Sequence, residues 1–277
     1  MRRSARRSFV IAGLVALAWA WSSTDAAAQY RPPAKAPAGE DYHIEGSLAW
    51  WNADPSLLIS SEALGIPGDN VDLIKDLSIV SHKLRKLDLV LRPAKKHRFR
   101  FEYLPISYSA DTVILRSFVF NGQVYNIGLP VQTTAQFNTS RFGYEYDFLY
   151  TKHGFLGALF DLKYTDVNVE ISSPLRAQPE FTTAVAPIPT IGIVGRGYLA
   201  PQVAVNGEVS IFRVPDSLAK DRFDGSYTDV DFNVTYNYNR FVGAVAGYRR
   251  LSVFYQFEKD SGSLKFSGLY FGGVIRY

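Results

Sequence analysis

No cysteine occurs anywhere in the chain, which excludes disulfide bonds, thiolate catalysis and cysteine-ligated zinc. Only four histidines are present, His43, His82, His97 and His153, and no two of them share a metal-ligand spacing. No EF-hand loop or glycine-rich phosphate cradle appears, so no cofactor is expected. No internal period of about 20 to 50 residues marks a solenoid or propeller. Long hydrophobic runs are missing too: the longest, Phe9 to Trp21, spans about 13 residues, too short for a membrane-spanning helix.

That run sits in a recognisable N-terminal pattern. Arg2, Arg3, Arg6 and Arg7 precede it and Ala26-Ala27-Ala28 follows, so residues 1–28 read as a cleaved secretory signal. Four arginines and Asp25 leave with the signal, and the formal charge falls from +4 to about +1. The mature chain then has no basic excess for a nucleic-acid partner. About 249 residues remain, enough for one large all-β domain. Residues 29–41 are rich in proline and alanine without apolar periodicity and read as a short mobile periplasmic lead-in.

From Tyr42 onward the dominant period is two. Arg141 to Phe148 places Phe142, Tyr144, Tyr146 and Phe148 on one face and Arg141, Gly143, Glu145 and Asp147 on the other. Residues 228–238 repeat the pattern, with Val230, Phe232, Val234, Tyr236 and Tyr238 opposite Asp229, Asp231, Asn233, Thr235 and Asn237. Ten strands are predicted, near 42–52, 84–93, 97–109, 132–149, 154–171, 182–199, 202–214, 226–238, 240–256 and 263–277, with eight or twelve as alternative counts. The stretch 184–195, holding Pro187 and Pro189, is the weakest of them. Short connectors alternate with long ones at 53–83, 110–131, 172–181, 215–225 and 257–262, as expected when one rim of a barrel faces the periplasm and the other the exterior. The first long connector is expected to carry a helical turn. The second holds a hairpin about Asn121-Gly122, expected to extend past the membrane.

Alternation alone does not say which face meets lipid. The signal, the terminal strand 264–277 ending on Tyr277, the two connector classes and the aromatics near the short turns favour a bilayer outside. The predicted periplasmic girdle is Phe99, Phe101, Tyr146, Phe148, Tyr150, Phe155, Tyr198, Tyr238, Phe241 and Tyr277. With lipid outside, the sheet must close on itself, because unpaired backbone groups in hydrocarbon cost several kcal/mol each. The lumen then receives Glu45, Asp88, Arg98, Arg100, Glu102, Arg141, Glu145, Asp147, Asp161, Lys163, Asn206, Glu208, Asp229, Asp231 and Asn233. Mixed signs in so narrow a barrel favour a paired, closed interior over a selective pore.

On this pattern, covering residues 42–277, the chain resembles the small bacterial outer-membrane β-barrels of the OmpA/OmpX and ten-stranded kind. The resemblance implies an all-β, antiparallel up-and-down transmembrane barrel in the outer membrane. The partners it implies are outer-membrane lipid and, through the strand ending in Tyr277, the barrel-assembly machinery. Unlike the full OmpA architecture, no peptidoglycan-binding domain is expected after the last strand. Such barrels include anchors, adhesins, small channels, proteases and lipid A-modifying enzymes.

No catalytic constellation stands out. His82 beside Ser81, with Ser109 or Asp111 on a neighbouring strand, is the nearest approach to a Ser-His-acid site. Asp69, Asp72 and Asp76 lie in the first long connector, but their spacing does not match the aspartate pairs of outer-membrane proteases. One binding feature is legible: Lys83, Arg85, Lys86, Arg213, Lys220 and Arg222 fall near the outer rim, where cations meet lipopolysaccharide phosphates. The expectation is a mostly closed barrel with a structural or surface-binding role through its outer loops. A small passive channel is the alternative, and an enzyme the third reading.

Overall fold

The computed structural model describes residues 37–62, 65–175, 180–215, 223–257 and 260–277. The signal expected at 1–28 and the first part of the lead-in lie outside the described residues. Fourteen strands follow in chain order: β1 (Ile44–Asn52), β2 (Asp54–Ser61), β3 (Val71–Asp72), β4 (Lys83–Ala94), β5 (His97–Val113), β6 (Phe118–Phe120), β7 (Gln123–Tyr125), β8 (Pro130–Thr151), β9 (Gly154–Ser172), β10 (Glu180–Ala200), β11 (Val203–Arg213), β12 (Phe223–Asn237), β13 (Val242–Phe257) and β14 (Asp260–Arg276). Ten of them close a ring in the order β1-β4-β5-β8-β9-β10-β11-β12-β13-β14, and β14 pairs back onto β1. Every neighbour is antiparallel. The predicted ten-stranded up-and-down barrel is therefore the fold, and every strand of the ring has a partner on both sides.

The wall is taller than a bilayer requires. A tilted strand crosses the hydrocarbon in about 9 to 11 residues, whereas β8, β9 and β10 run for 22, 19 and 21 residues. The surplus changes chemistry part-way up. Near the short turns, β5 points Arg98, Arg100 and Glu102 inward and Phe99, Phe101 and Tyr103 outward; higher up, it points Leu104, Ile106 and Tyr108 inward and Ser107 and Ser109 outward. β8 reverses at the same level. Its interior face runs Asp147, Glu145, Arg141 and then Phe137, Ala135, Val131, while its exterior face runs Phe148, Tyr146, Phe142 and then Ser140, Asn138, Gln132.

The lower half is thus a membrane barrel, apolar outside and ionic inside. The upper half is an ordinary soluble barrel, with apolar residues packed inside and polar ones in water. The sequence expectation that ionic groups point to the axis throughout holds only below the reversal. Above it the same period of two serves the opposite solvent arrangement, which alternation by itself does not reveal.

The first long connector also differs from expectation. Its start continues the wall: β2 extends β1 past Ala53 and pairs with the first half of β14, and Leu57 and Ile59 are buried inward. At this junction Gly268 is required, because a Cβ there would lie 1.8 Å from the Asn52 carbonyl oxygen. The helical turn expected in this connector is a single one, closed by the Asp76 amide donating to the Asp72 carbonyl at 2.8 Å. The hairpin expected at Asn121-Gly122 forms, with φ of 49° and 75° at the two turn residues, as a two-residue primed turn demands. It does not simply extend the wall upward. Phe118, Phe120 and Tyr125 pack into the same core as Val71, Leu73, Leu77, Ile79, Leu104 and Phe137. Pro187 and Pro189 are tolerated in β10 because pairing with β11 begins only at Ile191, leaving an edge where a missing N–H costs no ladder bond.

Candidate functional site: an ionic lumen sealed at both ends

Inward-facing charges fill the lower half of the barrel. Among the described residues, nine cations and ten carboxylates take part in its ion pairs. At its top, Arg249 grips both oxygens of Glu102 at 2.8 and 2.9 Å and both oxygens of Asp229 at 2.8 and 3.0 Å. Lys163 donates to Asp229 at 2.9 Å and to the Ser210 hydroxyl at 2.8 Å. Lys86 lies 3.1 Å from Asp231, 3.5 Å from Asp88 and 4.0 Å from Glu102. The Tyr270 hydroxyl donates to Asp231 at 2.6 Å.

In the middle, Arg100 bridges Glu145 at 2.5 Å and Glu208 at 3.2 Å, while Arg141 bridges Glu208 at 2.6 Å and Asp161 at 3.0 Å. Glu45 receives Arg196 at 3.1 Å and also Arg276, and Asn206 accepts from Arg196 and donates to Asn233. All fifteen residues assigned to the lumen from sequence face it. Between these groups lies a cavity of about 100 Å³ lined by Arg100, Arg141, Arg196 and Glu208. That is room for a few waters and not for a solute path.

The lower end is closed by the lead-in. Glu40 pairs with Arg92 at 3.3 Å and Arg98 at 3.2 Å, and accepts from the Tyr198 hydroxyl at 2.9 Å. Arg98 continues to Glu145 at 2.7 Å and to Asp147, with its guanidinium 3.8 Å from the centre of the Phe155 ring. The Ala38 amide donates to the Pro201 carbonyl at 2.9 Å. The part of the lead-in that is described, 37–41, is held in place and not free as expected. The upper end is closed by the apolar core and the hairpin, where Trp51, Leu57, Leu104 and Phe120 are fully buried.

Several sequence expectations change here. Lys86 was placed among the lipopolysaccharide contacts; it points inward, because on β4 the even positions Leu84, Lys86 and Asp88 share the interior face. Lys83, Arg85 and Arg213 do lie on the exposed exterior, and Lys220 and Arg222 lie outside the described residues. Three girdle aromatics belong to the interior. Tyr198 and Phe155 contact Glu40 and Arg98, and a register shift between Tyr146 and Leu149 turns Tyr150 inward, where it accepts from Arg92 at 2.8 Å. Sequence reasoning passed over Glu40, Arg92, Arg196, Arg249 and Arg276. For Arg276 the signal was present, since it shares a face with Tyr270 and Val274.

The candidate catalytic groups do not converge. His82 packs edge-on against Tyr108 at 4.9 Å, whereas Ser109 and Asp111 are on the opposite face of β5. Asp69 accepts from the Val119 amide, Asp72 from the amides of Ile74 and Lys75, and Asp76 from Arg116 at 2.6 Å. These carboxylates hold loops. The Arg116 hydrogen bond keeps the Asp76 carboxyl below the ordinary range. No group of three His, Asp or Glu side chains fit to hold a metal occurs among the described residues.

Fold and lumen together define an outer-membrane-type β-barrel. The outer-membrane protease OmpT from Escherichia coli has the same fold, with a TM-score of 0.57 and 9% identity, covering 86% of this chain and 97% of that one. Two further likenesses are weaker. The translocator domain of the autotransporter NalP from Neisseria meningitidis gives a TM-score of 0.40 at 8% identity, covering 98% of this chain and 95% of that one, and the attachment invasion locus protein Ail of Yersinia pestis gives 0.38 at 8%, covering 85% of this chain and 99% of that one. No family model and no curated protein matches the sequence.

Proposed function

We propose that the chain is an outer-membrane barrel that does not conduct, and that its role is carried by the collar standing above the apolar band. The observation that supports this is the double closure of the lumen, by Glu40 and its arginines below and by a packed apolar core above. A conduit needs a continuous polar path, and here the ionic half ends against hydrocarbon side chains. The collar instead presents surface. Its tip exposes Val80 at 75%, Ile127 at 67% and Leu115 at 66%, large apolar groups left in water and suited to contact with a partner.

Planar-bilayer recording tests this. The purified protein is expected to give no steady conductance steps, and deletion of residues 37–41 is expected to leave it silent, because the upper core still seals the lumen. Steps that change size in Arg100→Gln or Glu145→Gln would contradict the reading and make the chain a small passive channel.

A further inference from the structure

At the level where its apolar band ends, the exterior wall gathers four cations on the adjoining strands β4, β14 and β13. Moving round the barrel from β4 through β1 and β14 to β13, the first polar side chains above the band are Arg85, Asn52, Ser267 and Arg250. One outward position higher come Lys83 on β4, Lys265 on β14 and, between them on β2, Asp54. The two arginines and two lysines are exposed, and none has an ion pair or hydrogen bond among the described residues. Buried cations are paired, and in the collar loops Arg116 and Lys75 pair with Asp76 and Asp72. On the opposite wall the corresponding positions are Ser140 on β8, Asp166 on β9 and a single cation, Arg213, on β11.

Directly beneath the four cations the wall is apolar and exposed: Leu87, Trp50, Phe271, Leu269 and Tyr248. Neighbouring strands lie about 4.8 Å apart, so the patch spans roughly 15 Å of wall from β4 to β13. That is wider than one phosphate and open to several. We infer that Lys83, Arg85, Arg250 and Lys265 form a binding site for a multiply phosphorylated lipid of the outer leaflet, its phosphates on the cations and its acyl chains on the apolar wall below. A guanidinium offers paired N–H donors to phosphate oxygens, and a lysine adds a point charge. The apolar strip argues for a lipid over free phosphate. Asp54 leaves the patch with three net positive charges and limits how closely a phosphate approaches β2. Of the six cations marked in the sequence only Lys83 and Arg85 belong to this site; Arg250 and Lys265 are new to it.

The test uses the full mature chain refolded into phosphatidylcholine nanodiscs doped with bis-phosphorylated lipid A, or with the same lipid stripped of phosphate. Retained lipid is counted by native mass spectrometry. The wild type is expected to retain the phosphorylated lipid at least tenfold better than the stripped one, with retention falling as salt is raised. Lys83→Gln/Arg85→Gln/Arg250→Gln/Lys265→Gln is expected to lose that preference, while Asp166→Asn on the opposite wall keeps it. Heat-dependent gel mobility checks that both variants fold. Excess inorganic phosphate is expected not to displace the lipid; full displacement would show a phosphate site without a lipid component and overturn the proposal. Equal retention by wild type and the fourfold variant would overturn it too.

Discussion

Arg249 and Arg250 are adjacent in sequence and have opposite fates, which shows how far a single residue's role depends on its face. Arg249 points inward onto Glu102 and Asp229, 2% exposed, and Arg250 points outward. Removing one partner from a buried ion cluster leaves uncompensated charge and typically costs about 3 to 5 kcal/mol. Arg249→Met is therefore expected to lower stability by about that amount in urea unfolding from lipid vesicles, whereas Arg250→Met is expected to change it by less than about 0.5 kcal/mol. Equal effects would refute the assignment of faces. At this scale the sequence was readable wherever an aromatic alternation fixed the face, as for Arg141, Glu145 and Asp229. It was not readable for Lys86, because Lys83, Arg85 and Lys86 look alike as a basic run until the register of β4 against β1 is known.

Strands and connectors were legible to different degrees. All ten wall strands follow from period two and the alternation of turn lengths, and their ends lie within a few residues of expectation. The connectors did not, because β2 and the 118–125 hairpin are defined by what they bury and not by local pattern. The 118–125 hairpin is tied to the wall by the Asn121 amide, which donates to the Ser61 carbonyl at 3.1 Å, and to the first connector by the Asp69 amide on the Val119 carbonyl at 2.9 Å and by the Arg116–Asp76 pair. Because Asp76 has its pKa lowered in the fold, its contribution is present above the ordinary carboxylate value of about 4 and is lost as pH falls through the lower folded value. Hydrogen-exchange protection at residues 69–79 and 116–126, taken relative to the intrinsic rate at each pH, is thus expected to fall below about pH 4, and Asp76→Asn to bring the lower protection to neutral pH. Protection that stays the same from neutral pH to below about pH 4 in the wild type would contradict this tie.

For the molecule as a whole, the account rests on one wall crossing two solvents, with lipid against the lower half and water against the upper. The location of the girdle and the closure of the ring were legible in the sequence, since both follow from alternation plus the two connector classes. The reversal of polarity was not, because a strand of period two reads the same whichever face is greasy. A chain without cysteine allows the decisive measurement: single cysteines introduced at outward positions in intact cells and labelled with a membrane-impermeant maleimide. Ser109, Gln132 and Ser263 in the upper wall are expected to label, while Phe142, Ile193 and Leu269 in the lower wall are expected to resist until the membrane is dissolved. Protection of the upper set, or ready labelling of the lower, would contradict the two-solvent barrel.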